Sequence, residues 1–266
     1  MDIGTGLTVL GTAKIVEKIL GPTAGYVGDG LKSLTEKGVE NLRRIFRNAE
    51  ARLGDSINKP GGIPPRILKE ILNAGQFCND ELTAEYLGGV LASSRSPSGV
   101  DDRGITFLAL TSQLSSCQIR FHYICYTFWH ERYSRNWLRS SWGDELDSMT
   151  IALQYDFLWQ NMGNYDPPMT EAFWMHAVTG LARLGLIENL VEGLELDFNN
   201  FAGAKGWILP VGTKFIIKPT TFGGEYYIWG TGNGMLNPWS YGRLPKDLPG
   251  TNLIQLKGEP KLLSSK

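Results

Sequence analysis

Apolar residues in the first half of the chain recur mostly every three or four positions, which is the spacing of amphipathic helices. The first helix is predicted over residues 5–20 and ends at Gly21-Pro22. A second is predicted over residues 23–53, although each glycine in its first half weakens it by about 1 kcal/mol relative to alanine. Further helices are predicted at 65–75, after the turn at 58–62, at 80–94, where Asn79 is the predicted N-cap, and at 102–113 and 115–133.

The pattern changes after Arg139. One helix is predicted over residues 144–161, and a longer one runs over 169–184 and stops at Gly185. Short strand-like runs, separated by glycine, proline and asparagine, follow at 194–198, 207–209, 213–218 and 225–229. From Tyr241 onward there is little periodicity, which predicts an extended tail.

These elements predict a mainly α fold with two parts. Residues 1–165 form a multi-helix body, in which 1–55 hold the glycine-bearing N-terminal helices. Residues 166–240 form a small α+β module that is winged-helix-like, because a helix is followed by strands and a glycine-tipped turn. Residues 241–266 form the tail.

Composition places the chain among globular proteins. The apolar fraction is 42% and the charged fraction 20%, which excludes a wholly disordered chain, a collagen and a coiled-coil rod. With 26 basic and 27 acidic residues the net charge is −1, so no global field attracts nucleic acid or an anionic membrane. The predicted helix at 169–184 carries Arg183 and His176 against Glu171, which also disfavours nucleic acid as a partner.

The cysteines and the start of the chain indicate a cytoplasmic protein. Cys78, Cys117 and Cys125 are odd in number and lack the spacing of a disulfide framework, so we expect buried, reduced thiols. The N-terminus has no basic region before an apolar segment, as a secretory signal would. No stretch reaches the roughly 18 apolar residues of a membrane-spanning helix.

Motifs for catalysis are absent from the sequence, including the phosphate-binding GxxxxGK[ST] loop, GxSxG, HExxH and paired CxxC. The best polar candidate is the segment 120–132, where His122 and Cys125 are three residues apart on one helix. Two ligands do not make a zinc site, which needs three or four, and the segment is rich in aromatic residues. It therefore predicts a buried central helix, and we predict no catalytic residue, cofactor or metal.

Small residues near the N-terminus are the first candidate interaction site. Spacings of four residues between small side chains let two helix backbones approach closely. Intramolecular packing, an oligomer and, together with residues 5–20, a membrane surface all remain open, although Lys14 and Lys18 contribute only about 1 kcal/mol each to anionic-lipid binding. The residues concerned are Gly21, Ala24, Gly25 and Gly28.

Aromatic residues in the last predicted strand are the second candidate. Trp229, with Tyr226 and Tyr227, is expected to be exposed there. Exposed aromatic side chains suit contact with a partner protein. Trp229 is therefore the fifth candidate interaction residue.

The order of segments resembles a known family. A glycine-containing helix start is followed by a charged helix ending in AEARL, then IPPRILKEILNA, an acidic helix start NDEL, YLGGVLASS, a helix ending in QLS, and LGLI before a strand. These segments lie at Leu20–Leu34, Ala49–Leu53, Ile63–Ala74, Asn79–Leu82, Tyr86–Ser94, Ile105–Leu114 and Leu184–Ile187. Over residues 20–220 the chain is similar to the Abi-alpha (abortive infection alpha) family of bacterial proteins.

The resemblance implies a role in bacterial defence against bacteriophage, in which an infected cell stops growing before the phage matures. It carries no catalytic residues, and the Trp- and Gly-rich segment after Ala204 departs from the family pattern. Our hypothesis is a non-enzymatic protein that acts by protein–protein interaction or by oligomerisation through the N-terminal helices. The alternative is a membrane-acting effector that uses residues 5–20 at the inner face of the membrane. A nuclease or a nucleic-acid-binding regulator is less favoured.

Overall fold

The computed structural model describes residues 13–26, 34–133, 148–163, 169–191, 200, 202–234, 250 and 253–263. The chain forms two compact units. The first unit comprises residues 1–116, 228–237 and 247–253, and the second comprises 117–227, 238–246 and 254–266. The predicted mainly α fold with a small α+β part is confirmed.

Helices make up the described part of the first unit. They are α1 (Ala13–Leu20), α2 (Glu36–Leu53), α3 (Pro65–Gly75), α4 (Glu81–Ser93) and α5 (Gly104–Gln113), with 3-10 turns at Gly21–Tyr26 and Gly54–Asn58. The predicted helix at 23–53 is therefore shorter, and its residues 27–33 lie outside the described residues.

The helix boundaries follow from capping side chains. The hydroxyl of Thr35 accepts a hydrogen bond from the Gly38 amide at the start of α2, 3.1 Å away. Asp80, rather than the neighbouring Asn79, caps α4, because its carboxylate accepts from the Thr83 amide at 2.7 Å. Pro65 occupies the first position of α3, where no amide hydrogen is needed.

Two adjacent glycines let α4 pack closely on two sides. A Cβ at Gly88 would lie 2.6 Å from the Asn48 Cβ and 2.9 Å from the Ile45 carbonyl oxygen, both on α2. A Cβ at Gly89 would overlap the carbonyl group of Gly230. Backbone therefore packs against backbone on both faces of α4, which explains why this helix is buried on nearly all sides.

The second unit combines helices with a four-stranded antiparallel sheet. Its described helices are α6 (Ser116–Tyr133), α7 (Tyr155–Met162), α8 (Glu171–Arg183) and most of α9 (Thr221–Gly230). Its strands are β1 (Ile151–Gln154), β2 (Ile187–Val191), β3 (Thr213–Pro219) and β4 (Lys261–Leu262).

The sheet has the order β2-β3-β1-β4. Ile151 pairs with Ile217 in β3 and with Leu262 in β4, while Ile187 pairs with Pro219. Gly185, with φ +69°, ends α8 and turns the chain into β2. In the sheet β3 lies between β1 and β2, and β4 flanks the other side of β1.

Several predicted elements in this unit are wrong. Residues 151–154 form β1 rather than part of a helix, so the sheet includes residues before 166. Residues 207–209 form no strand, and 225–229 lie in helix α9. The predicted strand at 194–198 lies outside the described residues, and in the predicted tail Lys261–Leu262 form β4. The strand at 213–218 is confirmed by β3.

Helix α9 is mostly buried, and this explains why the strand propensity of its residues gave the wrong prediction. Tyr226 and Tyr227 are both 0% exposed, and a Cβ at Gly223 would overlap the Leu186 carbonyl and the Tyr126 hydroxyl. Aromatic residues favour strands on a half-buried surface, but packing overrides that preference. Tyr126 of α6 donates to the Leu186 carbonyl at 2.7 Å and accepts from the Thr220 amide at 3.0 Å.

His122 is a completely buried residue of the second unit, and its burial favours the neutral imidazole. The side chain of this α6 residue is completely buried, and its Nε2 lies 3.1 Å from the Gly223 carbonyl oxygen, which accepts the hydrogen bond. The rings of Tyr126 and Tyr226 lie 4.4 and 4.9 Å from the imidazole. Burial lowers the pKa of His122 to about 3, although the Gly223 carbonyl opposes the shift.

The free energy of unfolding should therefore depend on His122 below neutral pH. In the unfolded chain His122 has an ordinary pKa near 6.5 and binds a proton, whereas in the folded chain it stays unprotonated down to about pH 3. The free energy of unfolding therefore falls as the pH decreases from about 6.5 towards 3. Between pH 7 and pH 5 we expect a loss of about 2 kcal/mol. Urea unfolding at several pH values measures it. His122→Leu should reduce the loss between pH 7 and pH 5 by about 2 kcal/mol, whereas His176→Gln, at an exposed position, should leave it.

None of the described helices combines the length and the apolar character that crossing a bilayer requires.

Candidate protein-binding groove

Helix α3 supplies the floor and one wall of a groove in the first unit. Its apolar residues recur at helical spacing, so one side is buried: Ile67, Leu68, Ile71 and Leu72. The flank beside that face is exposed and polar. It carries Arg66, Lys69 and Asn73.

The groove has a volume of about 560 Å³. Tyr26 and Leu34 form the wall opposite to α3. Tyr26 is 64% exposed, which is unusual for a large aromatic side chain, whereas Leu34 is half-buried. The residues of the α3 side are Pro65, Arg66, Leu68, Lys69, Leu72, Asn73 and Gln76.

The wall that carries Tyr26 is held by the turn that precedes it. The hydroxyl of Thr23 donates to the Ile63 carbonyl at 2.5 Å. Gly21, with φ +60°, lies so close to the next segment that a Cβ would be 2.5 Å from the Gly61 carbonyl oxygen. The 3-10 turn is therefore anchored to the segment leading into α3.

The other end of the groove is anchored by α2. The side-chain amide of Asn41 donates to the Gln76 carbonyl at 3.0 Å. Asn41 itself is buried. The Thr23 hydroxyl and the Asn41 side-chain amide thus each hold one end of the groove by a hydrogen bond to a backbone carbonyl.

A second depression of about 540 Å³ adjoins the first. Tyr26 and Pro65 line both, so they form the ridge between them. Beneath this region Arg95 donates to the Lys18 carbonyl at 2.9 Å and to the Lys59 carbonyl at 2.6 Å. Arg95 thereby ties the end of α1 to the loop before α3, and burial lowers its pKa.

The charge of the groove is positive. Arg66 and Lys69 line it, and among the described residues of its lining none is acidic. Arg66 lies 3.5 Å from Asp102, but both side chains are more than half exposed, so this ion pair is weak. The exposed Tyr26 ring and the cationic flank together suit contact with another protein.

The small residues predicted as an interaction site have different surroundings from one another. Gly21 packs against Gly61 and Gly62 of the same chain, and Ala24 is buried. Gly25 is exposed, with no atom near a built Cβ. Gly28 lies outside the described residues.

Trp229 is not exposed, so the expectation that it presents an aromatic surface is wrong. It is 5% exposed, and its ring stacks on Phe107 with centroids 4.9 Å apart. Its carbonyl oxygen accepts from the Ser93 hydroxyl at 3.2 Å. The residue lies at the end of α9, where these contacts make it part of the core of the first unit.

The polar segment at 120–132 forms the predicted buried helix. His122 and Cys125 are both completely buried in α6. All three cysteines are buried, as expected, and burial raises the pKa of Cys78 to about 11. Within the described part of the chain, no group of three or more His, Cys, Asp or Glu side chains is arranged to hold a metal ion.

Sequence reasoning predicted α3 but not the groove. Its polar flank is visible in the pattern of Arg66, Lys69 and Asn73, three and four residues apart. Tyr26 and Leu34 come from a different segment, and no local pattern brings them beside α3. No family model, curated protein or solved structure matches this chain.

Proposed function

We propose that this chain is a bacterial antiphage protein of the abortive-infection type that acts by binding another protein at the α3 groove. The role in defence is supported by the resemblance of its segments to the Abi-alpha family. The mode of action is supported by one observation, a groove that combines the exposed aromatic ring of Tyr26 with the cationic flank of Arg66 and Lys69.

The proposal is tested by a groove variant in phage-challenged cells. Tyr26→Ala combined with Lys69→Glu removes the aromatic wall and reverses one charge at exposed positions, so the fold should be retained. The plating efficiency of phage should rise to that on cells lacking the protein. Circular dichroism and urea unfolding of the purified variant check the fold.

The matched control makes the same two kinds of change in the second unit. Val211→Ala with Lys214→Glu alters an exposed apolar residue and an exposed lysine there. This variant should protect cells as well as the wild type. Full protection by the groove variant would refute the proposal, as would equal loss of protection in both variants.

The membrane-acting alternative requires α1 to leave the first unit before it can bind lipid. Its apolar residues Val16, Ile19 and Leu20 are buried in the first unit, so they would have to leave their packing before meeting lipid. Membrane potential recorded during infection separates the two proposals. Depolarisation that persists in the groove variant and disappears on deletion of residues 2–20 would favour the membrane effector.

A further inference from the structure

Residues 254–263, which we call the strap, fill an edge of the sheet in the second unit. The strap contains β4, which has two residues and pairs with β1 on the side away from β3. The Leu263 amide donates to the Thr150 carbonyl at 2.8 Å and continues this pairing. The site beside β1 is therefore one that an added strand fills through backbone hydrogen bonds.

A side-chain clamp holds the backbone of the strap at a second point. The Asn161 side-chain oxygen accepts from the Lys257 amide at 2.8 Å, and its side-chain nitrogen donates to the Lys257 carbonyl at 3.0 Å. That nitrogen also donates to the Phe157 carbonyl at 2.7 Å, which orients the buried amide on α7. The Lys257 side chain is exposed, so the clamp recognises backbone.

Two side chains of the strap are buried in the site. They are Pro260 and Leu263, and Leu263 packs with Ala152 of β1 and Ile216 of β3. The other residues of the strap are exposed or half-buried. A proline followed three residues later by a leucine is therefore the side-chain pattern that fits the site.

The strap is held by fewer contacts than the strands beside it. Its pairing with β1 covers Lys261 and Leu262, whereas β1 and β3 pair over four residues. Ordering ten residues costs conformational entropy, and segments with few buried contacts open without unfolding of the whole protein. Leu253, which leads into the strap, is exposed. The strap can therefore leave its site while β1, β3 and α7 stay folded.

We infer that the vacated site accepts the strap of a second copy, so that two chains associate by exchanging residues 254–263. The strap is the sequence that the structure shows in the site, and a second copy offers the same backbone, proline and leucine. Contacts made within one chain are then made between two chains, as in other domain exchanges. A chain's own strap competes at an effective concentration of about millimolar, so exchange requires a high local concentration of protein. This association is independent of the α3 groove.

Two full-length variants separate the strap from its site. The open-site variant carries Lys257→Pro and Leu263→Asp, which remove the amide that the clamp binds and charge the buried anchor. The strap-donor variant carries Asn161→Leu, which removes the clamp and leaves the strap unchanged. Circular dichroism and urea unfolding check both folds. If the strap donor is unfolded, the wild type replaces it, and the complex is expected at a higher concentration.

Sedimentation velocity of these variants tests the exchange. Each variant alone should remain monomeric at about 100 µM, whereas an equimolar mixture should form a one-to-one complex, because one chain offers a free strap and the other an open site. The wild type should need at least about tenfold more protein to dimerise, since its sites are filled within the chain. In the matched control the strap donor also carries Leu263→Asp, and the mixture should stay monomeric.

A fluorescein-labelled peptide of residues 254–263 measures the open site without a strap donor. The open-site variant should bind this peptide at least about tenfold more tightly than the wild type does, because the wild-type strap competes. A second peptide with Lys257→Pro and Leu263→Asp should bind neither chain, since it lacks the amide and the leucine that the site holds.

Several outcomes overturn the inference. They include equal peptide binding by the open-site variant and the wild type, and no binding to either at about 1 mM. A complex that persists in the matched control would place the contact between copies elsewhere. Peptide binding by the open-site variant, combined with a mixture that stays monomeric, would assign the site to a segment of another protein.

Discussion

Replacing Gly89 with alanine should destabilise the first unit by more than about 4 kcal/mol, which exceeds the effect of most single substitutions. A Cβ at this position of α4 would overlap the Gly230 carbonyl and lie 2.9 Å from the Gly232 amide nitrogen. Both obstacles are backbone, so no side chain can move aside. The gain in helix propensity, about 1 kcal/mol, is too small to offset the overlap. Urea unfolding followed by tryptophan fluorescence measures the effect.

The matched control is Gly25→Ala. Gly25 is exposed in the 3-10 turn Gly21–Tyr26, and no atom lies within 4 Å of a Cβ built there. We expect a change within about 0.5 kcal/mol, as at most surface positions. Similar stabilities for Gly89→Ala and Gly25→Ala would show that α4 and the end of α9 do not pack as closely as described.

Replacing Arg52 with alanine should destabilise the first unit by about 3–5 kcal/mol. Arg52 of α2 lies 2.5 Å from Glu85 of α4, and the two side chains are only 9% and 18% exposed. Burial raises the pKa of Glu85, and the opposing effect of the Arg52 guanidinium is smaller. Removing the cation therefore leaves a buried carboxylate without its counter-charge. The midpoint and slope of urea unfolding measure the loss.

The double substitution Arg52→Met with Glu85→Leu should recover most of that loss, because two apolar side chains need no compensation for desolvation. Arg47→Ala on the same helix is the control. Its partner Glu40 lies 3.1 Å away, but the side chains are 60% and 50% exposed, so less than about 1 kcal/mol should change. Equal effects of Arg52→Ala and Arg47→Ala would contradict the burial of the first pair.

Helices with local signals were predicted to within about two residues. α3 begins at a proline and carries apolar residues at three- and four-residue spacing, and α6 is a long aromatic run. The strand at 151–154 was missed because Ile-Ala-Leu-Gln is too short to show alternation and directly precedes a helix. Its strand character comes from pairing with β3, more than fifty residues later.

The candidate groove was likewise predicted only in part from the sequence. The exposed flank of α3 could be read from Arg66, Lys69 and Asn73. The choice of Trp229 as an exposed aromatic was wrong, while the exposed Tyr26 was not singled out. Nothing in the local sequence separates these two aromatic residues, because exposure depends on which distant segments cover them.

The sequence by itself determined the mainly α composition, the bounds of α3, α4, α5 and α6 to within about two residues, and the buried character of α6. Those features arise from interactions between residues a few positions apart. Tertiary structure alone decided that β1 joins the sheet, that α9 is a helix, and that Tyr26 and Leu34 face α3 across a groove. The physical reason is that strand pairing, all-round burial and surface concavity depend on contacts between segments far apart in the chain, which local patterns do not encode.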